Sequence, residues 1–411
     1  MKEEHALIPK YMDHFQCIGA ECEDTCCSLW QITLDKRSCE NYSKISDRGM
    51  RDRLKTAMKK NEVNRSDMNY AAMILNPRTG HCPMLDDGLC AIQAKLGEHY
   101  LSQTCATYPR KVNQIGNTQE VSATPSCPEA ARLILLNPNG IEFVQSEPLR
   151  RHNTQYNRKI TSPSDQLTSY FWDLRITAIE ILQNREFVLP HRLLLLGWLC
   201  DHISEVTKQG DFSTLSDEIA AFKSEMETNS ELRDFSIFPA NDEFQLKFLN
   251  KVVMERVELG VWNQRYRECL DDYIEGMKCA GEDTESIVKH YKEAYFDFYL
   301  PYFQNHEYIF ENYLVNTIYH TMFPLAGKKP LFEQYLQLAI HFALIKMHLI
   351  GMSAHYKQLN DELVVKLIQS FSKNYEHNNT FVQLVCDRLK KEKYDTIGHL
   401  SLFIKNDAKI V

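Results

Sequence analysis

The chain has 411 residues, 44% hydrophobic and 25% charged, with a formal net charge of −8 at pH 7. That length holds one large core or two ordinary ones, and the composition is that of a soluble globular protein. The acidic balance argues against a general nucleic-acid binder, which carries a basic excess.

The first residues, MKEEHALIPKYMDHF, are acidic and have no apolar core, so they do not read as a secretory signal. A cytoplasmic location is the expectation. The chain carries thirteen cysteines, nine of them at or before Cys127. Cytoplasmic thiols stay reduced, and so dense a set points to metal ligation or redox chemistry rather than structural disulfides.

Residues 1–130 form a cysteine-rich region with short turn signals (NPRTG, DDG, YPR) and little sustained periodicity. Such a segment suits an irregular fold organised around a metal or cluster, because ligand bonds replace burial that short elements cannot supply. In HCPMLDDGLCAIQAKLGEHYL, Gly88 can take a positive φ and bring Cys82 and Cys90 together, and a short helix follows. Residues 131–165 read as a transition or linker: a helix end, a turn at Asn137 to Gly140, one short strand, then the polar run RRHNTQYNRKITSPS.

From there to residue 411 the pattern is helical, giving a mainly α chain with an all-α C-terminal domain over 166–411. SPSDQLTSYFWDLRITAIEILQNRE opens at a cap, and PHRLLLLGWLCDHISEVTKQG runs from Pro190 to Gly210. Four further strings repeat the three-to-four spacing, and about eight or nine helices are expected. The most apolar stretch, Leu336 to Ala354, is interrupted by His341, Lys346 and His348, which suits a buried or interfacial helix better than a membrane span. His341, His348 and His355 recur every seventh residue, a seam or partner-facing stripe rather than a metal pair.

The cysteine pattern is C-x4-C-x3-C-C at Cys17, Cys22, Cys26 and Cys27, followed by Cys82, Cys90, Cys105 and Cys127. Structural zinc sites use paired knuckles of closer spacing. Iron–sulfur clusters accept more varied spacing, and the Cys82-Pro83 and Cys127-Pro128 steps echo bacterial ferredoxins. Soft thiolates select zinc, Cu(I) or iron–sulfur, and on spacing alone a zinc staple and a cluster both stand. Cys39 lies outside the pattern and reads as structural. His14 and His81 flank the motifs as further ligand or supporting candidates. Arg110 reads either as a turn cap or as a holder of an anionic cofactor group.

Three segments together resemble the flagellin lysine-N-methylase family, within the wider group of CxxCxxCC-type metal-binding proteins. They are YMDHFQCIGAECEDTCCSLWQITLD, CPMLDDGLCAIQAKLGEHYLSQTCATYPR, and ENYLVN at Glu311 to Asn316. The resemblance covers most of the chain. It implies S-adenosylmethionine-dependent methylation of lysine ε-amino groups on flagellin in the bacterial cytoplasm. It also implies a [4Fe-4S] cluster held by four of the eight motif cysteines, without saying which four. Glu311, Tyr313 and Asn316 become candidates for the active site or its support.

A conventional methyltransferase shows a glycine-rich loop after the first strand of a Rossmann-like sheet, and no such loop is present. The radical S-adenosylmethionine signature C-x3-C-x2-C is met only in its first interval. Aromatics between Tyr295 and Asn316 could line a lysine channel, although at helical spacing they read first as core. Two other classes stand beside the methylase: a zinc-stapled, non-enzymatic module that binds flagellin or another protein, and an iron–sulfur redox protein. Peripheral membrane association and self-association stay open.

Overall fold

A computed structural model of the chain describes residues 5–149, 156–160, 169–208, 212–229, 234–260, 263–278, 283–325, 329–375 and 379–407. The chain divides into two compact units. The first contains Met1–Leu133, Glu142–Thr161 and Ser372–His377; the second contains Ile134–Ile141, Ser162–Phe371 and Asn378–Val411. Most of the polar linker run, 150–155 and 161–168, lies outside the described residues, as do the Ser164 cap and Gly210.

The first unit is more regular than its sequence suggests. Five strands form one sheet in the order Arg158–Ile160, Arg110–Ile115, Thr118–Ala123, His5–Pro9, Phe143–Ser146. The two central strands form a hairpin around Gly116, whose φ of +55° an L side chain rarely adopts. His5–Pro9 adds in parallel to Thr118–Ala123 and antiparallel to Phe143–Ser146. Three shorter strands, Thr33–Leu34, Met58–Lys60 and Ala71–Met73, make a second sheet. The sequence hides these strands because the hairpin is buried along both faces, which erases the alternation that marks a half-exposed strand.

Two capped helices complete this part. Asp35 accepts from Ser38 N–H at 2.9 Å to open Lys36–Ser43, and Asp47 accepts from Met50 N–H at 3.0 Å to open Arg48–Ala57. Their inward residues, among them Tyr42, Met50 and Leu54, join Leu34, Met84, Cys27 and Cys82 in one buried cluster.

The second unit contains only helices among its described residues from 169 onward, in keeping with the all-α expectation. There are twelve α-helices in that range, more than the eight or nine expected. The extra ones, such as Leu215–Thr228 and Gln264–Met277, are polar helices that bury only four or five residues each, so their apolar signal is thin. Side-chain caps still mark several starts, including Asn241, Asn263 and Asp283.

Leu331–Tyr356 is the centre of this unit. It is the one described helix long and apolar enough to cross a membrane, and 94% of its apolar window is buried within the protein. Two of its buried polar groups, His348 and Lys346, are satisfied internally, whereas the Tyr335 hydroxyl and His341 Nε2 have no hydrogen-bond partner among the described residues. His348 donates from Nδ1 to the Leu344 carbonyl at 2.7 Å and accepts at Nε2 from the Tyr266 hydroxyl at 3.0 Å. Burial holds the ionisation of His341 and His348 down at about 4, so both rings are neutral. Lys346 donates to the Ile404 carbonyl at 2.8 Å and to Asn406 at 2.7 Å. The heptad stripe is therefore core at His341 and His348, while His355 is exposed.

The tightest packing is between the central helix and Gln264–Met277. A Cβ added at Gly276 would lie 1.9 Å from the Gly351 carbonyl oxygen, so neither position accepts a side chain without parting the helices. Alanine favours a helix over glycine by about 1 kcal/mol, yet overpacking costs about 1–3 kcal/mol. Gly276→Ala should lower stability by about 2 kcal/mol in a urea titration; a gain would show that the two helices separate freely.

Candidate functional site

Seven of the eight motif cysteines, Cys17, Cys22, Cys26, Cys27, Cys90, Cys105 and Cys127, line one cavity of about 390 Å³ in the first unit. This is within the size of small-ligand sites. Segments far apart in sequence meet there because each is tied by its backbone. Cys82 N–H donates to the Cys27 carbonyl at 2.8 Å, which sets the later motif against the earlier one. Leu85–Asp86 and Leu89–Cys90 form a tight hairpin closed by Gly88 at φ +81°, the turn expected from DDG. Cys90 then precedes the helix Ala91–Leu96. Ser102 caps Gln103–Thr107 by accepting from Cys105 N–H at 3.3 Å. Cys127 sits just before Pro128–Leu135, where its carbonyl accepts from Ala131 N–H at 2.8 Å.

Cys26, Cys27, Cys82, Cys90 and Cys105 act on one another; Cys127 is influenced by Cys22 and Cys17, and Cys22 in turn by Cys26, which links the two sets. Within the first set the Cys27 thiol hydrogen-bonds both Cys26 and Cys90. Donation from Cys27 holds Cys90 down at about 6 and lowers Cys26, while Cys27 itself is driven up. Burial pushes Cys105 and Cys127 up to about 12. Among the described residues no three His, Cys, Asp or Glu side chains stand as a group that could hold a metal ion. Cys82 is buried beneath the cavity rather than lining it, and Cys39 packs on the same core from the helix Lys36–Ser43.

Other groups shape the cavity wall. Trp30 stacks on Tyr108 with centroids 5.4 Å apart and donates to the Cys26 carbonyl at 2.7 Å. The Tyr108 hydroxyl shares a 3.0 Å hydrogen bond with Ser126. Arg110 lines the cavity with its guanidinium over the Phe15 ring, 4.9 Å from the centroid. His14 and His81 are exposed and are not among the cavity-lining residues.

Two residues hold the site in ways the sequence does not announce. Lys373 is 3% exposed, and its ammonium donates to Asp24 at 2.8 Å and to the Thr25 carbonyl at 2.6 Å. It thereby pins the loop between Cys22 and Cys26 from nearly 350 positions away in the chain. Asp35 accepts from Gln103 N–H at 3.1 Å, fastening the helix that carries Cys105 to the one that carries Cys39 and Tyr42.

Glu311, Tyr313 and Asn316 lie in the second unit, on the buried helix Tyr308–Thr321. Glu311 receives Arg185 through two bonds of 2.9 Å and Arg192 through one of 2.7 Å. Its neighbour Asn312 donates to the carbonyls of Leu135 and Asn137 at 3.2 and 2.8 Å. The ENYLVN segment thus clamps the Asn137–Gly140 turn, where Arg185 also donates to the Pro138 carbonyl at 2.8 Å. Tyr313 shares a 3.4 Å contact with His341, and Asn316 one of 3.5 Å with His320. Two arginines occupy the Glu311 carboxylate, an arrangement that suits a supporting role better than that of a free base.

Lys373→Met keeps a side chain of similar length and leaves the mostly covered Asp24 carboxylate without the Lys373 ammonium. It should cost about 3 kcal/mol and speed iodoacetamide labelling of Cys22 and Cys26, read by mass spectrometry; unchanged labelling would mean the loop is held elsewhere. Glu311→Gln leaves the buried Arg192 guanidinium with Glu307, at 3.4 Å, as its remaining carboxylate partner and should still cost about 3 kcal/mol in chemical unfolding. A loss below about 1 kcal/mol, typical of an exposed pair, would remove its supporting role.

Residues 175–403 match the family model described as the FliB lysine N-methylase C-terminal domain. The flagellar biosynthetic protein FliU of Salmonella muenchen is 33% identical over 156 residues, 37% of this chain and 90% of that protein. A lysine-N-methylase of Salmonella choleraesuis is 34% identical over 145 residues, and that of Salmonella typhimurium is likewise 34% identical over 145. Each of these two matches covers 34% of this chain and 35% of the relative. No solved structure matches. With more than half its length accounted for by the family model, the chain belongs to the FliB family of lysine N-methylases.

Proposed function

We propose that this protein-lysine methyltransferase transfers methyl groups from S-adenosylmethionine to lysine ε-amino groups of flagellin, and that its cysteine cavity holds a [4Fe-4S] cluster. Family membership and the names of the relatives support the reaction and the substrate. The convergence of seven thiols on one cavity carries the cluster. Zinc asks four donors to converge to within about 2.3 Å of one point. In a cluster each thiolate takes its own iron, so the ligands ring a larger body. Seven thiols spread around one cavity favour the second arrangement.

Four ligands would come from the inner group of Cys26, Cys27, Cys82, Cys90 and Cys105, with Cys17, Cys22 and Cys127 as the outer wall. When bound, a cluster supplies iron coordination and one-electron chemistry in this cavity. The described sheet mixes parallel and antiparallel pairs of short strands and offers no Rossmann phosphate loop, so the methyl donor needs another kind of site. We assign the donor's carboxylate to Arg110, which lines the cavity and whose guanidinium can fork two N–H bonds onto a carboxylate. The ε-amine must then be neutral and in line with the sulfonium methyl. Its lone pair forms the new N–C bond as the S–C bond breaks, and the proton is lost from nitrogen.

Protein purified without oxygen should contain iron and sulfide in the ratio of a [4Fe-4S] cluster and should pass labelled methyl to flagellin. Cys90→Ser and Cys105→Ser should lose iron together with activity, while Arg110→Ala should keep iron and raise KM for S-adenosylmethionine about tenfold, the loss of about 1.4 kcal/mol. Stoichiometric zinc in place of iron, or full iron in both cysteine variants, would overturn the cluster assignment.

A further inference from the structure

In the second unit the helices Leu189–Lys208 and Leu215–Thr228 enclose a cavity of about 240 Å³. Trp198 and His202 line it from the first helix, one turn apart, and Glu218, Phe222 and Glu225 line it from the second at three-to-four spacing. One face of each helix therefore supplies the wall. Phe222 is buried and Trp198 half-buried, and the Trp198 ring is steadied edge-on by Phe238, with centroids 5.8 Å apart. Glu218 holds the His202 ring at 2.8 Å. The Glu225 carboxylate is exposed and has neither an ion pair nor a hydrogen bond among the described residues.

The charge around this cavity is of one sign. Leu215–Thr228 carries Asp217, Glu218, Glu225 and Glu227 against a single lysine, Lys223, which is taken by Glu180 at 2.6 Å. Carboxylates beside an aromatic face attract a cation twice over: the ring draws it by its quadrupole, and the oxygens accept its N–H groups. A lysine side chain fits both halves, with its methylenes along the rings and its ammonium at the carboxylates. The reaction proposed above needs the ε-amine neutral, and nearby carboxylates favour the protonated form instead. The cavity is thus unsuited to the reacting lysine and suited to a charged one.

We propose that this cavity is an anchoring site for a protonated lysine side chain of flagellin, a different lysine from the one being methylated. The inference rests on the flagellin-methylase reading above and adds to it a site of substrate recognition. Trp198 and Phe222 receive the methylenes, Glu225 accepts from the ammonium, and the His202 bond fixes the Glu218 carboxylate in the same wall. Each methyl group added to a lysine removes one N–H from it, so the anchor holds unmodified flagellin better than the finished product.

The test is calorimetric titration of the full chain with monomeric flagellin, without S-adenosylmethionine, using native flagellin and flagellin acetylated on its lysines. Glu225→Gln should raise the Kd for native flagellin about tenfold, the worth of one charge-assisted hydrogen bond. Acetylation removes the lysine charges and should weaken wild-type binding. Glu225→Gln should then add no further loss, because both changes break the same contact. Asp217→Asn removes an equal charge from the same helix outside the cavity and should leave the Kd where it was. An unchanged Kd in Glu225→Gln would overturn the proposal, as would additive effects of acetylation and substitution. So would an equal loss in Asp217→Asn, which marks diffuse charge attraction, or a wild-type chain that does not bind flagellin. Wild-type protein that binds as expected but passes no labelled methyl to flagellin would instead remove the methylase reading and leave the anchor standing.

Discussion

An α-helix of 26 residues that is apolar on every side cannot rest against one neighbour; it has to be surrounded. Leu331–Tyr356 imposes that requirement on the second unit, and much of its architecture answers it. Helices of modest apolar content become stable because each offers one stripe to the same core. The close approach at Gly276 and Gly351 exists because two backbones can come that near only where both lack a side chain. Even the polar residues on the central helix follow from it. His348 and Lys346 are buried where no water reaches, and fixed hydroxyl and carbonyl partners take the place of solvent.

The first unit meets a different problem. Its elements are short, and its core mixes aliphatic side chains with thiols. Stability comes from backbone tethers and charged clamps that reach across the sequence, such as Lys373 on Asp24 and Asp35 on Gln103. Each places a cysteine-bearing segment without using a sulfur atom. The thiols are left to interact with one another, and the Cys26–Cys27–Cys90 set shows unequal ionisation within a single group.

What could be read from the residues alone follows from these two regimes. The strongly apolar helices were legible because burial against a core leaves a three-to-four spacing, and the Asn137–Gly140 turn and Gly88 hairpin because few residues accept those backbone angles. The gathering of the motif cysteines was legible from their uneven distribution. The five-stranded sheet was not, since its strands are brief, far apart, and buried on both faces in the central hairpin. Lys373 was invisible for a simpler reason: one lysine at the end of an amphipathic helix looks like any surface charge until the chain is folded. Glu311 stood out by its motif, but only the two arginines around it show that the motif supports a turn.

Because those cysteine segments are anchored through amides, carbonyls and charged side chains, their placement does not depend on what the sulfurs hold. Under the cluster reading proposed above, a site built this way separates the lifetime of its inorganic content from the lifetime of the polypeptide. Oxygen that strips an iron–sulfur centre would leave a scaffold still shaped to take another, so damage could be repaired by delivery of iron and sulfide instead of by synthesis of a new chain.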